Sequence, residues 1–196
     1  KDGKFFLDLG WQGKALKDIT IGEYDYGALF LRMPWKEGIR GEAVNAARQR
    51  NEKAEGQRAM WLDVGMQVEG REDLAHIAIF DHPVNAGFPQ PWRVDGQLGI
   101  GPVRARMGDW KIKKGETEII RHEIVAYTGE LNDITLTKLW DEYIGSNSLY
   151  TTASLWNIAQ EEGRSAKFLS PEEAVNSMTL LDGFKANAWA GEPMVT

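Results

Sequence analysis

Along the first two thirds of the chain, apolar and polar residues alternate in short runs, and then the period changes. Met60, Leu62, Val64, Met66 and Val68 alternate with Trp61, Asp63, Gly65 and Gln67, the period-two pattern of a strand. Residues 74–80 are apolar on both faces, which predicts a central strand covered on each side. Residues 117–127 place Ile120, His122, Ile124 and Ala126 on one face, with Ile119, Arg121, Glu123, Val125 and Tyr127 on the other. Shorter apolar runs at 4–9 and 27–33 are bounded by glycines and charges and read as further strands. Two polar stretches separate these strands. Residues 37–58 form a long charged segment with the character of a functional loop. Residues 81–91 carry three prolines (Pro83, Pro89, Pro91) and cannot pair as a central strand.

Beyond residue 130 the spacing becomes helical. Leu136, Leu139, Trp140 and Tyr143 fall on one helix face over 134–143, with Asn132 or Asp133 as the cap. Residues 146–168, rich in Ser, Asn and Thr at their start, read as a linker. Ser170-Pro171-Glu172-Glu173 opens a second helix over 171–178 with a capping box. Residues 184–189 then read as a strand without partners, the expected entry to a further domain. The fold class expected is mainly β: an antiparallel β-sandwich over 1–145, with one or two short helices near the C-terminus.

Composition narrows the function classes. The net charge of −6 leaves no basic field for nucleic acid. No run approaches the ~20 apolar residues of a membrane span. The absence of Cys excludes disulfides, thiolate metal sites, a cysteine nucleophile and covalent haem attachment within the chain. Lys1 is not a natural start, so the expectation is a chain cut from a longer protein.

Three histidines are scattered over strands and a loop without metal-ligand spacing, so no metal site is expected. His76 and His122 read as hydrogen-bonded structural residues on apolar strand faces. His82 differs, because it stands between Asp81 and Pro83 at a strand end. An adjacent carboxylate can orient an imidazole, which makes His82 with Asp81 a candidate acid/base pair. The other reading of the same residues is an Asp-initiated turn. Asn85, Trp92 and Arg93 flank this loop, and an indole face beside planar donors suits a sugar ring; the reading that eight tryptophans favour is a core tryptophan with a surface arginine. Arg32, before Met33-Pro34-Trp35, and Asn45 in the long polar loop complete the candidate substrate-binding set. No phosphate loop or serine nucleophile elbow occurs.

Five segments share an order and spacing: Tyr26-Gly27-Ala28-Leu29-Phe30-Leu31-Arg32, Gly41-Glu42-Ala43-Val44-Asn45, Gly56-Gln57-Arg58-Ala59-Met60-Trp61-Leu62-Asp63, Ile77-Ala78-Ile79-Phe80-Asp81-His82-Pro83-Val84-Asn85 and Pro91-Trp92-Arg93-Val94. Over roughly residues 1–143 they resemble an uncharacterised bacterial family often labelled methane oxygenase PmoA-like. Tyr127 departs from that pattern, which has histidine there. The resemblance implies an antiparallel β-sandwich and a role linked to sugar catabolism. It does not imply methane oxidation, since a membrane subunit with clustered copper ligands has no counterpart here. In the tail, Leu169-Ser170-Pro171-Glu172-Glu173-Ala174, Asp182-Gly183-Phe184-Lys185 and Gly191-Glu192-Pro193 are similar to the entry of a β-propeller in large exported, haem-bearing dehydrogenase-like proteins. That likeness implies periplasmic or extracellular localisation, with haem, if any, carried by a region beyond this chain. The expected function is a carbohydrate-linked domain of a multidomain exported protein, binding or acting on a sugar around His82. The alternative is a non-catalytic scaffold beside a redox propeller.

Overall fold

In the computed structural model the chain divides into two compact units, residues 1–158 and 159–196. The structure describes residues 3–27 and 29–145, together with Val175 and Lys185. Of the second helix expected at 171–178 only Val175 is described, as helical. The linker and the strand expected at 184–189 lie outside the described residues, Lys185 excepted.

The first unit is mainly β and antiparallel. Its first five strands are β1 (Phe5–Lys14), β2 (Ile19–Ile21), β3 (Gly41–Asn45), β4 (Trp61–Gln67) and β5 (Leu74–Asp81). Then come β6 (Trp92–Val94), β7 (Ile100–Pro102), β8 (Trp110–Ile112) and β9 (Thr117–Gly129), followed by the α-helix α1 (Asp133–Ile144). Five strands form one sheet in the order β1-β9-β5-β4-β3, while β2 pairs with β8 and β6 with β7. The doubly apolar strand is thus the middle of the sheet, as its sequence predicts.

Both faces of the large sheet are covered. On one, Leu62, Val64, Met66 and Ile79 pack with Trp92 and Ile100 of the β6–β7 hairpin. On the other, Trp61, Ala78, Phe80 and Val125 pack with Leu136 and Trp140 of α1. Each fully buried Leu, Ile, Val or Met among them contributes roughly 1.5–3 kcal/mol of transfer free energy. Burial on both faces explains why every residue of β4 up to Met66 is buried although its sequence alternates. Two indole N–H groups fasten α1 to the sheet: Trp140 Nε1 donates to the Asp81 carbonyl at 2.7 Å, and Trp61 Nε1 to Thr137 Oγ1 at 3.2 Å. The cap is Asn132, whose side chain accepts from the Thr135 amide at 2.9 Å, and Gly145 ends the helix in a left-handed conformation.

Three strand expectations change. The run at 4–9 continues through Gly10–Lys14, because backbone pairing with β9 (Leu9 opposite His122, Trp11 opposite Ile120) carries an edge strand through residues with little apolar signal. Its Phe5, Leu7 and Trp11 are exposed. The described residues of the segment 27–33 form no regular strand; among them only Leu31 pairs, with Ile100. The polar segment 37–58 contains β3, whose Ala43, Val44 and Asn45 are buried against β4.

Candidate functional site

The 81–91 loop is built around one carboxylate. Asp81 is fully buried. Its Oδ1 accepts from the His82 amide at 3.0 Å and Asn85 Nδ2 at 2.6 Å. Its Oδ2 accepts from the Gln90 amide at 2.8 Å. Burial pushes this carboxyl up to about 7, against the pull of those donors. Asn85 is buried as well: Nδ2 also donates to the Arg121 carbonyl at 2.7 Å, and Oδ1 accepts from the Arg121 amide at 2.7 Å. Asp81 therefore holds the main chain of the loop, not the imidazole of His82. His82 Nδ1 accepts from the Val84 amide at 3.0 Å, which fixes the proton of the neutral ring on Nε2. The ring meets Tyr143 of α1 edge-on, and burial with the nearby Arg121 charge lowers its pKa. The tautomer is thus set by a backbone N–H, where a carboxylate was expected.

Two more of the expected contacts face inward. Trp92 is fully buried in the core and its Nε1 donates to the Ala59 carbonyl at 2.7 Å. Asn45 organises its own turn: Oδ1 accepts from the Ala47 and Gln49 amides, each at 3.0 Å, and Nδ2 donates to Gln49 Oε1 at 2.6 Å. The loops 37–58 and 81–93 do meet, through Gly56 and Gln57 backbone pairing with Trp92, but the meeting is a packed seam.

The remaining histidines are buried in the sheet. His122 Nδ1 donates to the Phe80 carbonyl at 3.3 Å, and burial drives its pKa down to about 4. His76 Nδ1 lies 2.7 Å from Asp63 Oδ1 and Nε2 lies 3.1 Å from the Gly129 carbonyl. Both partners are acceptors, so the arrangement suits the imidazolium. Burial opposes that charge, yet Asp63 and the Gly129 carbonyl hold the His76 pKa above its ordinary value. Tyr127 completes the network by donating to Asp63 Oδ2 at 2.8 Å and stacking on His76. Gly65 makes room, since a Cβ there would strike the His76 ring.

Arg32 and Arg93 come together elsewhere. They line a pocket of about 320 Å³ with Tyr26, Gly27, Phe30, Asp95 and Val103. Each guanidinium lies over an aromatic ring: Arg93 is 5.2 Å from the Tyr26 centroid and Arg32 is 5.5 Å from that of Phe30. Each is also tied to a carboxylate, Arg32 to Asp95 and Arg93 to Glu55, which takes Arg106 on the same oxygen. Burial tends to raise the Glu55 carboxyl, but the Val94 amide, Arg106 and Arg93 hold it below its ordinary value. Asp95 is likewise held down, against burial, by the Gly99 and Gln97 amides and by Arg32. Close backbone approach shapes the pocket. A Cβ on Gly101 would enter the Leu29 carbonyl oxygen, and one on Gly99 would strike the Phe30 ring. These glycines let the 29–31 segment lie flat on β7 and present Phe30, 41 % exposed, and Arg32 to the hollow.

The pocket thus offers two aromatic rings, guanidinium donors already fixed in direction, and an ionised acceptor. It suits a neutral polyhydroxylated ligand with an apolar face. Sequence reasoning found its two arginines but missed Tyr26 and Phe30, just before Arg32, and Asp95, two residues after Arg93. Among the described residues, no group of three or more His, Asp or Glu is placed to hold a metal ion. None of their helices is long and apolar enough to cross a membrane.

The model of one protein family, Family of unknown function (DUF6807), matches residues 1–141. The chain belongs to DUF6807. The match spans the whole five-stranded sheet, the pocket and most of α1. No curated protein and no solved structure matches the chain.

Proposed function

We propose that this DUF6807 chain is a carbohydrate-binding domain whose ligand lies over Tyr26 and Phe30. The observation that carries the reading is the pairing of each ring with an arginine, Tyr26 with Arg93 and Phe30 with Arg32, around one pocket. Sugar C–H faces stack on aromatic rings, while guanidinium N–H groups and a carboxylate satisfy the ring hydroxyls. At about 320 Å³ the hollow stands at the small end of the ~300–1,000 Å³ range of small-molecule sites.

Binding without catalysis fits this pocket better than sugar turnover does. Its carboxylate, Asp95, is held in the charged form by two amides and Arg32, so it is an acceptor and not a proton donor. His82 is not in its lining, and Asp81 is committed to the loop backbone. This favours the module that delivers or retains a sugar over the enzyme. A role beside an exported redox propeller remains part of the proposal and rests on the resemblance of residues 169–196.

A panel of monosaccharides, their disaccharides and oxidised keto-sugars, read by thermal shift, tests the reading. A ligand at about 100 times its Kd adds about 2.7 kcal/mol of stability. Tyr26 is 53 % exposed, so Tyr26→Ala should leave the unliganded melting point nearly unchanged and remove the ligand-induced shift. A shift that survives Tyr26→Ala and Arg93→Ala would place the ligand elsewhere.

A further inference from the structure

A second hollow of about 230 Å³ adjoins the β6–β7 hairpin at Val94, Asp95, Gly96 and Leu98. Trp35, Ile39, Asn51, Glu52, Val94 and Leu98 are among its lining residues, and it shares Asp95 with the first pocket. Asp95 is fixed at the junction. Its Oδ1 accepts from the Gln97 and Gly99 amides at 2.9 and 2.8 Å, its Oδ2 takes Arg32, and its own amide donates to the Gly99 carbonyl at 3.0 Å. The tip of the hairpin is therefore a rigid ridge whose Asp95 lines both hollows.

We infer that the two hollows are adjacent subsites and that the ligand is an oligosaccharide of at least two units, straddling Asp95. This rests on the carbohydrate reading above and deepens it. Each hollow supplies the same kind of chemistry. One has Tyr26 and Phe30 with Arg32 and Arg93; the other has half-buried Trp35 with the side chains of Asn51 and exposed Glu52. A sugar unit placed on Tyr26 and Phe30 has its neighbour carried across the ridge towards Trp35. The carboxylate between them stands where hydroxyls flanking the linkage need an acceptor. A monosaccharide fills one hollow and leaves the other to water, whereas a disaccharide gains the second aromatic contact for one loss of translational freedom.

The test uses the full 196-residue chain and isothermal titration with glucose, galactose, mannose and xylose against cellobiose, maltose, lactose, mannobiose and xylobiose. At least one disaccharide should bind about tenfold or more tighter than either of its units. Trp35→Ala should reduce that disaccharide to the affinity of its monosaccharide while leaving the monosaccharide unchanged. Because Trp35 also touches the core, Glu52→Gln serves as a second variant on an exposed residue and should weaken the disaccharide alone. Monosaccharides and disaccharides binding within about twofold of each other, or a disaccharide gain that survives both variants, overturns the two-subsite inference and leaves the carbohydrate reading standing. If no sugar in the panel binds, the carbohydrate reading falls and takes this inference with it.

Discussion

Asp81→Ala separates a structural carboxylate from a catalytic one. The wild-type side chain receives three N–H donors: the His82 and Gln90 amides and Asn85 Nδ2. Asn85 keeps its bond to the Arg121 carbonyl when Asp81 is truncated, so two main-chain donors lose their partner in a buried position. A buried unsatisfied donor costs about 1–3 kcal/mol, which puts the loss for the two amides at about 2–6 kcal/mol, a large fraction of the ~5–15 kcal/mol that holds a domain together. Asp81→Asn retains an acceptor for one amide and turns an NH₂ group towards the other, so its cost should fall at about half that of the alanine variant. The assay is urea unfolding followed by circular dichroism. With a slope of about 2 kcal/mol/M, the alanine variant's midpoint should drop by about 1–3 M at unchanged slope. The bond from the Trp140 indole to the Asp81 carbonyl does not involve the Asp81 side chain, so the helix should stay docked in the native state. A loss below about 1 kcal/mol for Asp81→Ala would show that water or a shifted loop satisfies the amides, and the argument that Asp81 serves the backbone would be wrong.

Two further outcomes follow from buried groups and close approaches. His122 has a folded pKa of about 4 because burial disfavours its charge. The native state therefore binds fewer protons than the unfolded chain between about 4 and 6.5. Stability from this residue is fully present above about 6.5, and about 3 kcal/mol of it is lost as pH falls to 4; His122→Gln should flatten that limb of a stability–pH curve, and an unchanged limb would reject the assignment. Gly101→Ala should cost about 1–3 kcal/mol, because the new methyl meets the Leu29 carbonyl. It should also weaken sugar binding by displacing Phe30, so titration with the best ligand of the panel showing full affinity would count against the pocket.

The regular part of the fold was legible because its signal is local. Residues 74–80 are apolar on both faces, and they became the central strand; Leu136, Leu139, Trp140 and Tyr143 share a helical face, and the helix formed within a residue of its expected limits. β3 was hidden because an edge strand needs only one covered face and its charged neighbours, Glu42 and Arg50, pair with each other. The segment 27–33 misled in the opposite sense: its apolar run serves to climb over Gly99 and Gly101 instead of joining a ladder. At the site, local sequence could reveal polar residues in unusual company but not which way they face. Asp81, Asn45, Asn85 and Trp92 have the composition of a binding loop, yet all four point inward: the three polar side chains accept from main-chain amides, and the Trp92 indole donates to the Ala59 carbonyl. Arg32 and Arg93 carry no stronger mark in the sequence, yet they reach the surface.

The same contrast bears on how the proposed site would hold a ligand. An exposed arginine loses rotamer entropy when a ligand immobilises it, a cost of roughly 0.5–1.5 kcal/mol for each side chain. Here that ordering is already in place, since Arg32 rests on Phe30 and pairs with Asp95, while Arg93 rests on Tyr26 and pairs with Glu55. Each carboxylate is in turn fixed by main-chain amides: Asp95 by Gln97 and Gly99, Glu55 by Val94. The chain of restraint thus runs from the backbone of the β6–β7 hairpin outward to the guanidinium groups, and ends at two aromatic rings. None of these ion pairs needs to add much to folding, because pairs this exposed are worth about 0–1 kcal/mol. Their value lies in restraint: they hold both arginines in the lining of one hollow. A surface arranged for stability alone would bury the rings and leave the arginines to water; this one holds both in place and open.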